Sequence, residues 1–284
     1  MPNNLQRREQ AKRKLERQIA RRAERAKRQR ITAVVLSIVA VLVVGGGVWF
    51  LATRGSSSSD AAAAPSSSAQ AQGKKTGGPC AYTETPSEPA AKEAGLPDDP
   101  NPTPNTGATS VSVKTDQGDI PLTLDKAKAP CTVQSFTHLV QKKYYDGSPC
   151  HRLTTADSLK VLQCGDPKGT GQGGPGYTIK DEKPTDLKPS GDGQASIYPR
   201  GTLAMAKTQA PDSGGSQFFL VYADSKLPPD YTVFGKIGDA GMAVIDKVAA
   251  AGVQPTQDPQ TGQPSTTDGK PAIPVTIQTA TVVN

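Results

Sequence analysis

Two things are scarce in this chain, and each scarcity excludes a class of protein. Residues 1–108 contain no run with the apolar periodicity of a soluble core, so the 284 residues do not hold two folded domains. A surplus of positive charge is missing outside one short arm. Residues 7–30 carry twelve Lys or Arg against Glu9, Glu16 and Glu24, a charge of +9 in a chain whose total is +7, so the remainder carries −2. The body has no basic surplus for nucleic acid, and no nucleic-acid partner is expected. The glycine-rich stretch Gly165 to Gly176, GDPKGTGQGGPG, lacks the Gly-Lys-Ser/Thr ending of a phosphate-binding loop, which argues against nucleotide chemistry.

Charge is absent altogether from Ile31 to Ala52, ITAVVLSIVAVLVVGGGVWFLA, and here the absence is informative. At 1.5 Å per residue these 22 residues cross a hydrocarbon core. Trp49, the only Trp, and Phe50 fall near its far end, where aromatic rings favour the interface, and the basic block before it holds the N-terminus in the cytoplasm. A cleaved signal peptide would need a shorter apolar run and a nearby small-x-small site; Ala69-Gln70-Ala71 lies too far downstream. The expectation is a cytoplasmic arm over 1–30 attracted to anionic lipid headgroups, and a single-pass signal anchor in the cell membrane over 31–52. Everything after it is then extracytoplasmic.

Residues 53–108 are rich in Ser, Ala, Gly and Pro and read as a disordered linker with a reach of roughly 40 Å. Within it GPCAYTETP, around Cys80, carries a Cys and a Tyr and is a candidate to dock on the domain.

The pattern changes near residue 109. Ser110 to Thr115 and Asp119 to Asp125 alternate apolar and polar residues about Gln117-Gly118, as in a hairpin. Pro130 opens a helical pattern through Val133, Phe136 and Val140, ending near Tyr144. Arg200 to Lys207, Ser216 to Tyr222, Thr232 to Ile237 and Val275 to Val283 read as further strands, and Met242, Ile245 and Val248 with Ala249 mark a second helix. About eight strands and two helices predict a mainly β domain over 109–284, a closed antiparallel β-barrel that removes its exposed edges.

The stretch that organises this domain is Cys150 to Asp166, CHRLTTADSLKVLQCGD, which sets an Arg on one short apolar strand and a Gln on the next. With Gly201 to Leu220, GTLAMAKTQAPDSGGSQFFL, and Tyr231 to Lys236, YTVFGK, it resembles the cyclophilin-type peptidyl-prolyl cis-trans isomerases, in a bacterial membrane-anchored form. The resemblance covers roughly the last 175 residues and implies the cyclophilin barrel, catalysis of X-Pro rotation, no cofactor, and proline-containing polypeptides of exported proteins as partners. It assigns Arg152 as the catalytic residue and Gln163 as the residue that orients it or binds the substrate backbone. Phe219 matches the floor of the proline pocket, Gln217 a polar wall, and Leu227 an apolar wall. Ala206 and Lys207 match the segment that pairs with the peptide backbone, where many members carry Asn in place of Lys207. Leu159 and Val161 match the Met and Phe that usually precede the glutamine, and Tyr231 replaces a frequent His. Lys226 stands where many members have a Trp, which implies weak sensitivity to cyclosporin. Eleven residues separate Arg152 from Gln163, three more than in compact members.

This chemistry needs no nucleophile. Amide resonance sets a barrier of about 18–20 kcal/mol, and a fixed cation near the amide nitrogen stabilises the twisted form. A lone Arg on a strand is ordinarily a surface charge, and it is the three motifs in family order that raise Arg152 above that. Phe218 and Phe219 must face opposite ways, so one of them belongs to the core. His151 beside Cys150 suggests a thiolate pair or, with Cys164 and Asp166, a zinc site; adjacent strand residues diverge, so the expectation is a buried, hydrogen-bonded His151 and no metal. Four cysteines in an exported domain allow three pairings. The expected one is Cys150 with Cys164 across the hairpin of Arg152 and Gln163, and Cys80 with Cys131. A monomer is expected. The rival reading is a tethered module that binds proline peptides, or acts as a chaperone, with little turnover.

Overall fold

The computed structural model describes residues 73–191, 193, 195–257 and 264–283. The basic arm, the stretch 31–52 expected to span a membrane, and the first part of the linker lie outside the described residues. Among the described residues no helix is long and apolar enough to cross a membrane.

In chain order the elements are β1 (Thr83–Glu84), β2 (Ala108–Thr115), β3 (Gly118–Asp125), α1 (Pro130–Gln141), β4 (Arg152–Ala156), β5 (Leu159–Cys164), β6 (Tyr177–Thr178), β7 (Lys188–Pro189) and β8 (Ser196–Tyr198). They continue with β9 (Thr202–Met205), β10 (Phe218–Val221), β11 (Ser225–Leu227), β12 (Val233–Ile237), α2 (Asp239–Ala250), β13 (Thr256–Gln257), β14 (Pro264–Ser265), β15 (Asp268–Gly269) and β16 (Ile277–Val283). The domain is mainly β with two helices, as its periodicities predict.

The hairpin β2–β3 follows directly from its pattern. Val111 and Val113 on one strand and Ile120, Leu122 and Leu124 on the other are buried at every second position, and Thr115 pairs with Gly118 across a two-residue turn. Helix α1 starts at Pro130, whose missing N–H costs nothing there, and ends at Gln141, a few residues before the expected Tyr144. No neighbouring side chain caps it. Instead the Glu182 carboxylate accepts the backbone N–H of Cys131 at 3.0 Å and of Thr132 at 2.8 Å, an anion at the positive end of the helix supplied from 50 residues away. Its buried face presents Phe136 to Phe218, Phe234 and Tyr145, with ring centroids 5.0–5.3 Å apart. Helix α2 lies on β3, and a Cβ at Gly241 would sit 2.8 Å from the Ile120 side chain, so the close approach requires glycine.

Nine strands form one sheet in the order β15-β4-β5-β10-β9-β12-β3-β2-β16. This corrects the closed eight-stranded barrel expected from the strand count. The curled sheet stops short of closure, because β15 and β16 do not pair. Across the gap, Gly147 N–H donates to Ile277 O at 2.7 Å, Cys150 N–H to Val275 O at 2.8 Å and Ile277 N–H to Ser148 O at 2.8 Å. The last two flank an antiparallel bridge of Pro149 with Thr276, a non-hydrogen-bonded pair in which the missing N–H of Pro149 costs nothing.

The linker expected over 53–108 also needs correction where it is described. Residues 73–107 pack on the domain. Tyr82 is fully buried, donates its hydroxyl to Cys131 O at 2.8 Å and meets Tyr177 edge-on at 5.9 Å. The Asp99 carboxylate accepts the N–H groups of Cys80 at 3.0 Å and Ala81 at 2.9 Å, β1 pairs with β6, and Cys80 is bonded to Cys131. A disulfide, one buried ring and a carboxylate hold this strap in place, none of which alters its linker-like composition.

Candidate active site

Strand register aligns the site. Arg152 of β4 is paired with Gln163 of β5, Gln163 with Phe219 of β10, and Phe219 with Ala204 of β9, so the four side chains form one row across four strands on one face of the sheet. The long spacing between Arg152 and Gln163 is explained by this register. Four further pairs, ending at Ala156 and Leu159, extend the hairpin beyond the row and leave the row itself intact.

Two residues along, on the same face, Val161 pairs with Val221. Val161, Ala204, Phe219, Val221 and Tyr198 form a small apolar cluster of their own, separate from the main core, with Leu159, Ala206, Leu227 and Tyr231 packed against it. Phe219 meets Tyr231 edge-on at 5.6 Å, and Tyr231 is held by its backbone, whose N–H donates to the Tyr198 hydroxyl at 3.2 Å and whose carbonyl accepts from it at 3.1 Å. The structure thus brings together Leu159, Val161, Ala206, Phe219, Leu227 and Tyr231 as one floor beside Arg152, Gln163 and Gln217. Lys226 is exposed on β11.

Lys207 behaves differently from its neighbour Ala206. Its ammonium lies 2.5 Å from Asp181 Oδ2, and both side chains are 8% exposed. Its charge is spent inside the wall, while the adjacent Ala206 N–H is tied to Gln217 O at 2.9 Å.

The polar side of the row is a connected chain. Arg152 Nη1 donates to Gln163 Oε1 at 3.2 Å, Gln163 Nε2 donates to Gln217 Oε1 at 2.9 Å, and Gln217 Nε2 donates to the carbonyls of Gly171 at 2.9 Å and Gly173 at 3.0 Å. Each amide is oriented by the next. The glycine-rich loop at the end of the chain is organised by Asp166, which is fully buried and accepts the N–H groups of Lys168, Thr170, Gly171 and Gly173 at 2.8–3.1 Å. The loop does form an anion cradle, and its anion is a carboxylate of the chain itself. Burial pushes the Asp166 pKa up, and those hydrogen bonds outweigh it and hold it below the ordinary value. A Cβ at Gly173 would lie 2.0 Å from Asp166 Oδ1, so the cradle requires glycine there.

One partner of Arg152 is not legible in the motifs. Asp268, on β15, receives Arg152 Nε at 2.8 Å and Nη2 at 2.6 Å. That carboxylate is the main reason the guanidinium pKa is raised, so Arg152 stays charged. Nothing in the sequence signals the contact, which spans 116 positions.

A groove of about 670 Å³ opens beside the row. It starts at Gln163, Gln217 and Ala206, passes the glycine-rich loop, and is walled on its far side by Glu88 and Pro89 of the strap. The strap is held there by Ala91 N–H to Gly174 O at 2.8 Å and Thr85 N–H to Gly176 O at 2.9 Å.

The cysteines pair as Cys80 with Cys131 and Cys150 with Cys164, and none of the four is free. No thiolate is therefore left beside His151. Against expectation, neither ring nitrogen of His151 lies within hydrogen-bonding geometry of a partner among the described residues. It packs beside Gly171, and burial holds its pKa below the ordinary histidine value. Among the described residues no group of three His, Cys, Asp or Glu is placed to hold a metal ion.

Comparison with known proteins agrees with this geometry. The family model described as cyclophilin type peptidyl-prolyl cis-trans isomerase matches residues 110–282. The chain is 48% identical over 204 residues to the probable peptidyl-prolyl cis-trans isomerase B of Mycobacterium tuberculosis, a match covering 71% of this chain and 63% of that protein. It is 45% identical over 305 residues to the protein of the same name in Mycobacterium leprae, covering 98% of each. Among solved structures, a cyclophilin type peptidyl-prolyl cis-trans isomerase of Cryptosporidium parvum aligns at 26% identity and a TM-score of 0.49, over 63% of this chain and 99% of its own. With the family model spanning more than half of the sequence, this chain belongs to the cyclophilin-type peptidyl-prolyl cis-trans isomerase family.

Proposed function

We propose that the domain catalyses cis-trans rotation about X-Pro bonds in polypeptides folding outside the cytoplasmic membrane, to which residues 31–52 anchor it with the basic arm inside. The observation that carries the catalytic reading is the register row, which sets one half-buried guanidinium against an apolar floor. The floor takes the proline ring and excludes water from it. As the amide twists, resonance is lost and the nitrogen regains a lone pair. An N–H of Arg152 donates to that lone pair, and each 1.36 kcal/mol so supplied raises the rate tenfold. Gln163 and Gln217 carry no charge and bind substrate backbone. No proton changes hands, so the step needs no base. The extracytoplasmic assignment draws support from the apolar run behind a basic arm and from two disulfides, which persist in oxidising compartments.

The test is isomerisation of a short Ala-Pro peptide by the full-length protein and its Arg152→Ala variant under oxidising conditions. Acceleration by the wild type, reduced about 100- to 1,000-fold in the variant, supports the reading. Tight peptide binding by a folded wild type without acceleration overturns it in favour of a tethered binding module. Protease protection of the domain in intact cells, with cytoplasmic exposure of residues 1–30, tests the anchor.

A further inference from the structure

Arg152 has five N–H donors, and three of them are taken by the protein itself: Nε and one on Nη2 by Asp268, one on Nη1 by Gln163. Among the described residues no partner takes the other two, one on each terminal nitrogen. A long side chain at the mouth of a pocket would ordinarily sample many rotamers, and a donor that must meet a lone pair forming only in the transition state gains little from being nearby and misdirected. The fork from Asp268 and the third bond from Gln163 together define the plane of the guanidinium before any substrate arrives.

The carboxylate is itself fixed by the backbone. Asp268 pairs with Thr154 and Gly269 with Leu153, so Asp268 stands diagonally across from Arg152 on the same face of the sheet. Its N–H donates to Ser265 Oγ at 3.2 Å. The pair is not there to hold the fold together. The two side chains are 40% and 45% exposed, and ion pairs this open to water contribute little to stability.

We propose that Asp268 is a positioning residue for catalysis, which acts through Arg152 by presenting its two remaining N–H groups to the twisting amide. The inference rests on the reading of Arg152 as the catalytic residue. A carboxylate at this distance also offsets part of the guanidinium charge, and so an opposite outcome is physically available: if damping dominated, removing Asp268 would speed the reaction.

The experiment is a double-mutant cycle in the full-length protein, with Arg152→Ala, Asp268→Ala and the double variant, and with Asp268→Asn and Asp268→Glu alongside. Rates and peptide affinities are measured separately on the same Ala-Pro peptide. The expected result is that Asp268→Ala and Asp268→Asn lower kcat roughly 10- to 100-fold while KM moves less than about threefold. Asp268→Glu recovers part of the loss, and thermal unfolding midpoints match the wild type. In the Arg152→Ala background, Asp268→Ala has no further effect. The proposal is overturned if Asp268→Asn keeps or raises kcat, or if Asp268→Ala costs as much without Arg152 as with it. An Arg152→Ala variant as active as the wild type would sink the underlying assignment instead, and the cycle separates the two failures.

Discussion

Phe218 and Phe219 are consecutive on β10 and serve different interiors. Phe218 packs edge-on against Phe136 of α1 at 5.3 Å in the main core, whereas Phe219 packs against Tyr231 at 5.6 Å in the floor of the site. Substitution at the two positions should therefore separate stability from function. Phe218→Ala is expected to cost about 3–5 kcal/mol of stability by opening a cavity in the main core. Phe219→Ala lies in a cluster of five buried residues and should weaken peptide binding first, raising KM with a smaller loss of stability. Chemical denaturation and steady-state kinetics on both variants check the division, and equal behaviour of the two would contradict it.

The ion pair of Lys207 with Asp181 gives a prediction of opposite character to that of Arg152 with Asp268. Both of its side chains are nearly closed to solvent, and Asp181 also accepts the Asp212 N–H at 3.2 Å. Removing one partner strands a buried charge, so Asp181→Ala should cost roughly 3–5 kcal/mol. Replacing both, with Asp181→Leu and Lys207→Met, should restore most of that loss. Urea midpoints for the single and double variants measure it; a double variant no better than the single would remove the stranded charge as the cause.

His151 should make the domain less stable in acid. Burial is the largest influence and, reinforced by Arg152, lowers its pKa, while Asp166 and the Gln217 side chain oppose the shift. The unfolded chain takes up a proton at this residue near pH 6.5, and the folded chain only at lower pH. Between those values the unfolded state binds more protons, so stability falls as pH drops below about 6.5 and levels off beneath the folded pKa. Urea midpoints from pH 7.5 to 5 should fall less steeply for His151→Asn than for the wild type. Parallel profiles would show that the imidazole does not contribute.

Local pattern carried much of the architecture. Alternation about Gln117-Gly118 predicted β2 and β3, Pro130 with Val133, Phe136 and Val140 predicted α1, and the parity of neighbouring strand positions required Phe218 and Phe219 to diverge. The elements of the site were legible for the same reason. Arg152, Gln163 and Phe219 lie in short motifs on strands, where side-chain direction alternates by covalent geometry alone.

What the sequence by itself determined about this protein is eight of the nine strands of the main sheet, its two helices, three of the four residues of the row and the family to which the row belongs, because each is written in neighbouring residues. Tertiary structure alone decided the rest. The sheet stays open at its edges: β15 and β16 do not pair, and the chain entering β16 instead meets the segment before β4 at the bridge of Pro149 with Thr276. The Pro-rich strap becomes a wall of the groove because Tyr82 and Cys80 find partners on α1 and β6. Many acidic residues of the domain could have met Arg152. That Asp268 does so follows from a pairing of β15 with β4 across more than a hundred residues, a contact with no local signal because long-range register has none.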